Sequence, residues 1–176
     1  RDSALDPLGR LAAHWIARGI GDVGLVEVTT MDADREGGGA AWSVPELRRR
    51  AAAAGATAVV TGAYYAYGDS LVLEARILDA ASGRVLRTVG PTPAVRAQPI
   101  AGLERLRQRT MGALAIVVDS LYAPSATSMT APPSYEAFRE LAAGDEDAGA
   151  RRWQSALGHY RRAVALDSGY VTPLVR

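Results

Sequence analysis

The run "GIGDVG" places Gly19, Gly21 and Gly24 at the spacing of a dinucleotide-binding fingerprint. That chemistry needs a strand before the glycines and a helix after them, so that the pyrophosphate meets a helix amino terminus. Here a helical pattern comes first and the strand-like "LVEVTT" follows, so the run reads as a helix-ending turn. Asp32, Asp34 and Glu36 in "DADREG" match the first half of a calcium loop, but the closing bidentate carboxylate would fall on Ser43. We expect a solvated acidic loop there, and the same for Asp145, Glu146 and Asp147 in a turn. His14 and His159, the two histidines, sit in separate helical patterns without a second histidine at metal-ligand spacing. No metal site, cofactor site or catalytic residue is assigned. The arginine clusters at 48–50, at Arg105, Arg107 and Arg109, and at Arg151 with Arg152 read as solvated helix faces.

Composition narrows the chemistry further. All 20 basic residues of the 176 are arginine, and with 19 acidic residues the net charge is +1. Lysine is absent, which removes a phosphate-loop lysine, a Schiff base and a lysine general base. Cysteine is absent too, which removes a thiolate nucleophile, a thiolate zinc site and disulfides. The balanced charge argues against nucleic acid as a partner, and no apolar run reaches the roughly 18 residues of a membrane span. An enzyme would have to work with carboxylates alone. The opening at Arg1 and the ending "GYVTPLVR" lead us to expect a piece of a longer chain.

The elements that must position these residues follow from periodicity and turn chemistry. "LGRLAAHWIARGI" puts Leu8, Leu11, Trp15 and Ile16 on a helical stripe beginning near Asp6-Pro7. "LVEVTT" reads as a short strand and 31–43 as a loop. Ser43, with Pro45 and Glu46 behind it, caps a helix that ends near Gly55. "TAVVTGAYYAY" reads as a strand closed by Gly68-Asp69. Leu71, Leu73, Ala75 and Ile77 then alternate with Val72, Glu74, Arg76 and Leu78, one apolar and one mixed face. "DAASG" calls for a left-handed Gly83 before the third strand "RVLRTV", and 91–99 reads as a proline-marked loop. A long helix follows with Leu103, Leu106, Leu114, Val117 and Leu121 as its buried edge. Tyr65 and Tyr67 share one strand face and Tyr64 the other, so at least one ring must meet solvent or a partner.

After a small-residue, proline-rich linker at 123–134 come two helical patterns, with Gly144, Ala156, Tyr160 and Ala163 at fixed spacing and Asp167-Ser168 at the turn. This spacing resembles a tetratricopeptide repeat (TPR), whose small residues let paired helices pack closely around an aromatic. One such hairpin cannot bury its own face, so it must pack on further repeats, on the preceding domain or on a partner. The segment from "PELRRR" to "RVLRTV" resembles the amino-terminal domain of TolB-type periplasmic proteins, as found before TPR repeats in extracytoplasmic regions of bacterial serine/threonine kinases and related regulators. The expected fold is α/β (α+β-like): a small mixed sheet with an antiparallel meander packed by helices, plus a C-terminal TPR-like helical hairpin. The expected domains are 1–122, the linker 123–134, and 135–176 with the start of a further repeat.

The resemblance implies a non-catalytic protein-interaction or scaffold module in the periplasm, tethered to the inner membrane by a segment outside this chain and binding membrane-associated protein partners. Tyr64, Tyr65 and Tyr67 on the sheet, with the mixed outer face of 70–78, and a groove lined by Trp153, Tyr160 and Tyr170, are the candidate partner-binding residues. Two alternatives stay open: a small-molecule sensor regulating a kinase or cyclase on the same polypeptide, and an accessory subunit held permanently in a membrane complex.

Overall fold

The computed structural model describes residues 6–31, 42–119, 122 and 131–170. Five helices and three strands follow in the order α1 (Asp6–Asp22), α2 (Val44–Ala53), β1 (Ala58–Tyr67), β2 (Ser70–Asp79), β3 (Val85–Val95), α3 (Ile100–Val118), α4 (Tyr135–Gly149) and α5 (Trp153–Leu166). The α/β class and the antiparallel meander are as the sequence led us to expect. The chain divides into two compact units, 1–107 and 108–176, and the division falls inside α3, upstream of the linker expected from composition.

In the first unit the strands pair in the order β1-β2-β3. The β1-β2 turn is Gly68-Asp69, with Gly68 at φ 56°, between the paired Tyr67 and Ser70. At the β2-β3 turn Gly83 adopts φ 72°, and the turn is closed by its N–H to the Asp79 carbonyl at 2.8 Å. The Asp79 carboxylate accepts from both the N–H and the hydroxyl of Ser82. The Ser82 hydroxyl, more than any other group, holds the Asp79 carboxyl below the usual carboxylate range.

Leu71, Leu73, Ala75 and Ile77 are buried, joined on the same face by Val89 and Thr92 of β3. Helix α1 lies against this inner face, and the first turn of α3 reaches it. Gly9 of α1 brings the helix to the Tyr64 ring, and a Cβ on Gly102 of α3 would fall 2.4 Å from that of Ala94. Helix α2 takes the opposite face, where Leu47 and Ala51 cluster with Val59 and Ala80. Its Ser43 cap accepts from the Glu46 N–H as expected, but the Glu46 carboxylate turns to Arg50 (2.6 Å) and Arg49 instead of closing a capping box.

Four expectations need correction. Residues 25–30 form no strand, so the described sheet is purely antiparallel rather than mixed; alternation alone does not make a strand, which needs a neighbour for its backbone groups. Strand β3 runs through Pro91 and Pro93 to Val95 instead of stopping at Val89. Pro93 faces Val72, whose hydrogen bonds go to β1, so the missing N–H costs the ladder nothing, and Pro91 sits at a register shift of this edge strand. The buried stripe of α1 passes through Ile16, Gly19 and Ile20 while Leu11 is exposed, because the small Gly9 sets which side approaches the sheet. Residues 110–116 of α3 are buried on all sides rather than along one edge. The expected buried Leu121 and the acidic loop with Asp32, Asp34 and Glu36 lie outside the described residues.

In the second unit α4 and α5 form an antiparallel hairpin with Ala137, Leu141, Ala156 and Ala163 between them. Helix α4 does not stop near Ala143, where the helical pattern breaks off. It continues to Gly149, so Asp145, Glu146 and Asp147 belong to the helix and not to a solvated turn. The reason is packing: Gly144 is where the Tyr160 ring rests, with its Cε1 2.4 Å from the site a Cβ would occupy. The stop is made two residues beyond, at Arg151, which takes φ 60°. The bonds from Arg151 N–H to Ala148 and from Arg152 N–H to Asp147 make a Schellman stop with arginine where glycine is usual.

Candidate interaction surface

Antiparallel register fixes which side chains share the outer face of the first unit. Tyr65 lies opposite Val72, which lies opposite Pro93; one row on, Tyr67 lies opposite Ser70, which lies opposite Val95. Helix α2 covers the other end of this face, over Val59. The two rows near the Gly68 turn are left bare: Tyr65 is 55% exposed, Tyr67 89% and Val95 59%. Next to them Glu74 and Arg76 add a charged pair 3.7 Å apart. This is an apolar, ring-bearing surface bounded by polar groups, the composition of a recognition face.

Tyr64 points the other way, against Gly9. Among the tail residues, Trp153 is 64% exposed, whereas Tyr170 is only 4% exposed and Tyr160 is packed on Gly144. Trp153, Tyr160 and Tyr170 therefore do not line one open groove. Exposed Leu157 follows Trp153 by one helical turn, giving α5 an apolar stripe of its own.

The ionisable residues of the second unit are engaged with one another. Asp145 accepts from the hydroxyls of Tyr122 and Tyr160, each at 2.8 Å. Glu140 lies 2.8 Å from His159 Nδ1 and accepts from Arg162 Nε at 2.9 Å. The His159 contact first, and Arg162 after it, hold the Glu140 carboxyl below the usual range. Asp147 is held down by a hydrogen bond from Ser155 and then by Arg152, whose guanidinium meets it at 2.7 and 2.9 Å. Asp167 accepts from the Ser134 N–H at 3.0 Å and lies 3.6 Å from Arg109, tying the end of α5 to the start of α4. Arginines expected to be solvated thus serve as clamps: Arg109 donates to the Pro132 carbonyl and, in the first unit, Arg105 to that of Pro93.

The nucleotide-like glycines resolve as a helix stop. Gly24 has φ 64°, with Gly24 N–H bonded to Gly21 and Leu25 N–H to Ile20. His14 is exposed on α1. Among the described residues no group of three or more His, Asp or Glu side chains is placed to hold a metal ion, and no helix is long and apolar enough to cross a membrane. A hollow of about 450 Å³ beside α2 is lined by Ala52, Ala56, Ala80 and Ala81 with the exposed Arg48 and Arg49 at its rim. It is open, and no buried polar side chain is aimed into it.

Sequence reasoning identified Tyr65, Tyr67 and the mixed face that carries Val72, but missed Pro93 and Val95 as their neighbours. The two-residue Gly68-Asp69 turn, which fixes the β1-β2 register, seats Val72 opposite Tyr65. Pro93 and Val95 were hidden by reading two prolines as a loop. Compared with family models, with curated proteins and with solved structures, the chain matches none.

Proposed function

We propose that this chain is a non-catalytic protein-interaction module, related to the TolB amino-terminal domain with a TPR-like hairpin behind it, that works outside the cytoplasm as part of a membrane-associated assembly. The observation that carries the reading is the half-covered outer sheet face, with Tyr65 and Tyr67 exposed in register with Val72, Pro93 and Val95. Large rings held rigidly on a strand lose little entropy when a partner covers them, which is why such residues dominate interfaces. The engagement of Glu140, Asp145, Asp147 and His159 in contacts within the hairpin supports a structural role for these groups over a catalytic one. The apolar stripe of Trp153 and Leu157 on α5 suits the seating of a further helical repeat.

Affinity capture of the tagged protein from detergent-solubilised native membranes, with sizing and mass spectrometry, tests this. Recovery of other membrane subunits in fixed ratio, lost in the Tyr65→Ser/Tyr67→Ser variant, is the expected result. Recovery alone, or equal recovery by the variant, would refute the outer face as the contact.

A further inference from the structure

Helix α5 and the turn before it carry charge of one sign. Between Asp147 and Asp167 the chain holds four arginines and no acid. Two of the four are engaged with α4: Arg152 meets Asp147 at 2.7 Å and Arg162 meets Glu140 at 2.9 Å. Arg151 and Arg161 are exposed, and among the described residues neither guanidinium has an ion-pair partner. These two arginines flank the apolar stripe. Trp153, Leu157 and Arg161 follow one another at intervals of four, on a single row of the helix, and Arg151 stands just ahead of Trp153. Beside the row Gly158 and the exposed Ala165 are small, and a Cβ on Gly158 would meet only Arg162 Nη1, at 3.6 Å. The outer side of α5 is thus a narrow apolar row with an unpaired cation at each end, the two about 15 Å apart along the chain at the rise of a helix.

We infer that this row is the docking site of an acidic amphipathic helix from a partner protein, with apolar side chains against Trp153 and Leu157 and a carboxylate at each end for Arg151 and Arg161. The inference rests on the reading of α5 as a seat for a further helix and adds the chemistry of what sits there. A partner that covers the stripe strips water from the guanidiniums at its ends, and a desolvated charge left unpaired is costly. Carboxylates are the groups that arginine meets in bidentate fashion. Other occupants fit worse. A second copy using the same face would set arginines against a surface that offers no acid. Residues 168–176 of this chain contain no acid either. A lipid surface takes up a broad apolar face, whereas this row has two large apolar side chains, Trp153 and Leu157.

The probe is a fluorescein-labelled, lactam-stapled helical peptide of about 16 residues, with leucines along one face and a glutamate at each end of that row. Matched peptides carry glutamine or lysine at the two end positions. The full chain should bind the glutamate peptide with a Kd below about 100 µM, the glutamine peptide about tenfold more weakly, and the lysine peptide more weakly still. R151E/R161E should reverse that order, and Trp153→Ser/Leu157→Ser should bind none of the three. Equal binding of the glutamate and glutamine peptides would overturn the inference and leave α5 standing as a seat for a helix. No binding of any peptide up to about 300 µM would overturn both. Cosedimentation with phosphatidylglycerol vesicles in place of peptide binding, or self-association lost in Trp153→Ser/Leu157→Ser, would give the stripe to a lipid surface or to a second copy and overturn the inference as well. Tyr65→Ser/Tyr67→Ser should bind the glutamate peptide as wild type does, so the outer sheet face and the α5 row stand or fall separately.

Discussion

Replacing Gly144 by alanine sets two physical effects against each other within one helix. An alanine in place of a helical glycine gains about 1 kcal/mol in propensity. At 144, however, the new Cβ would lie 2.4 Å from Cε1 and 2.6 Å from Cδ1 of Tyr160, where carbon atoms in contact sit about 3.5–4.0 Å apart. The ring must therefore retreat by about 1 Å, and overpacking of that kind costs about 1–3 kcal/mol. Its hydroxyl donates to Asp145 at 2.8 Å, and losing that bond costs about 1 kcal/mol more. The sum is a net loss of about 1–3 kcal/mol, a rise of roughly 5- to 150-fold in the opening of the hairpin. Hydrogen exchange of the α4 and α5 amides reads this directly. Gly149→Ala is the control, since a Cβ there meets nothing within 4 Å, and it should slow exchange modestly. Slower exchange in Gly144→Ala as well would refute the packing of Tyr160 on Gly144.

Gly83→Val should lower the melting temperature of the first unit. It forces a β-branched residue to φ 72° and drives its Cβ to within 2.6 Å of Val44 Cγ1, a conformational penalty of at least about 1–2 kcal/mol before the clash. An unchanged transition would show that the turn is not left-handed. Arg151→Gly should raise stability by up to about 1 kcal/mol, because φ 60° is strained for arginine and not for glycine; a drop in thermal stability would contradict the helix stop described. Glu140 and Asp147 have folded carboxyl groups held below their ordinary values. Their contribution is therefore present above the unfolded carboxylate range and fades as pH falls through 4.5 and below. Melting of the wild-type hairpin from pH 7 to pH 3 should fall more steeply than that of Glu140→Gln; parallel curves would remove Glu140 from the linkage.

Features decided within a few residues were legible in the sequence. Ser43 capping α2, the turn at Gly68-Asp69, the left-handed Gly83, and the alternation of Leu71 to Ile77 all depend on local stereochemistry and appear as expected. Features decided by distant partners were not. "LVEVTT" has the pattern of a strand but no strand to pair with among the described residues, and Pro93 reads as a loop until its register against Val72 shows that its nitrogen faces away from the ladder. Asp145, Glu146 and Asp147 read as a turn in one dimension and belong to α4 in three. The same applies to Asp145, which composition assigns to solvent and which two tyrosine hydroxyls reach. On the candidate surface, periodicity separated Tyr64 from Tyr65 and Tyr67. Pairing across three strands was needed to add Pro93 and Val95.

The measurement that bears most directly on the interaction reading is site-specific photo-crosslinking in native membranes, with a benzophenone amino acid at position 67 or, as a control, at the exposed Arg18 of α1. The interaction reading predicts one dominant heterologous adduct from position 67, with none from position 18. Absence of any adduct at 67, or the same weak and diffuse adducts from both sites, would contradict it.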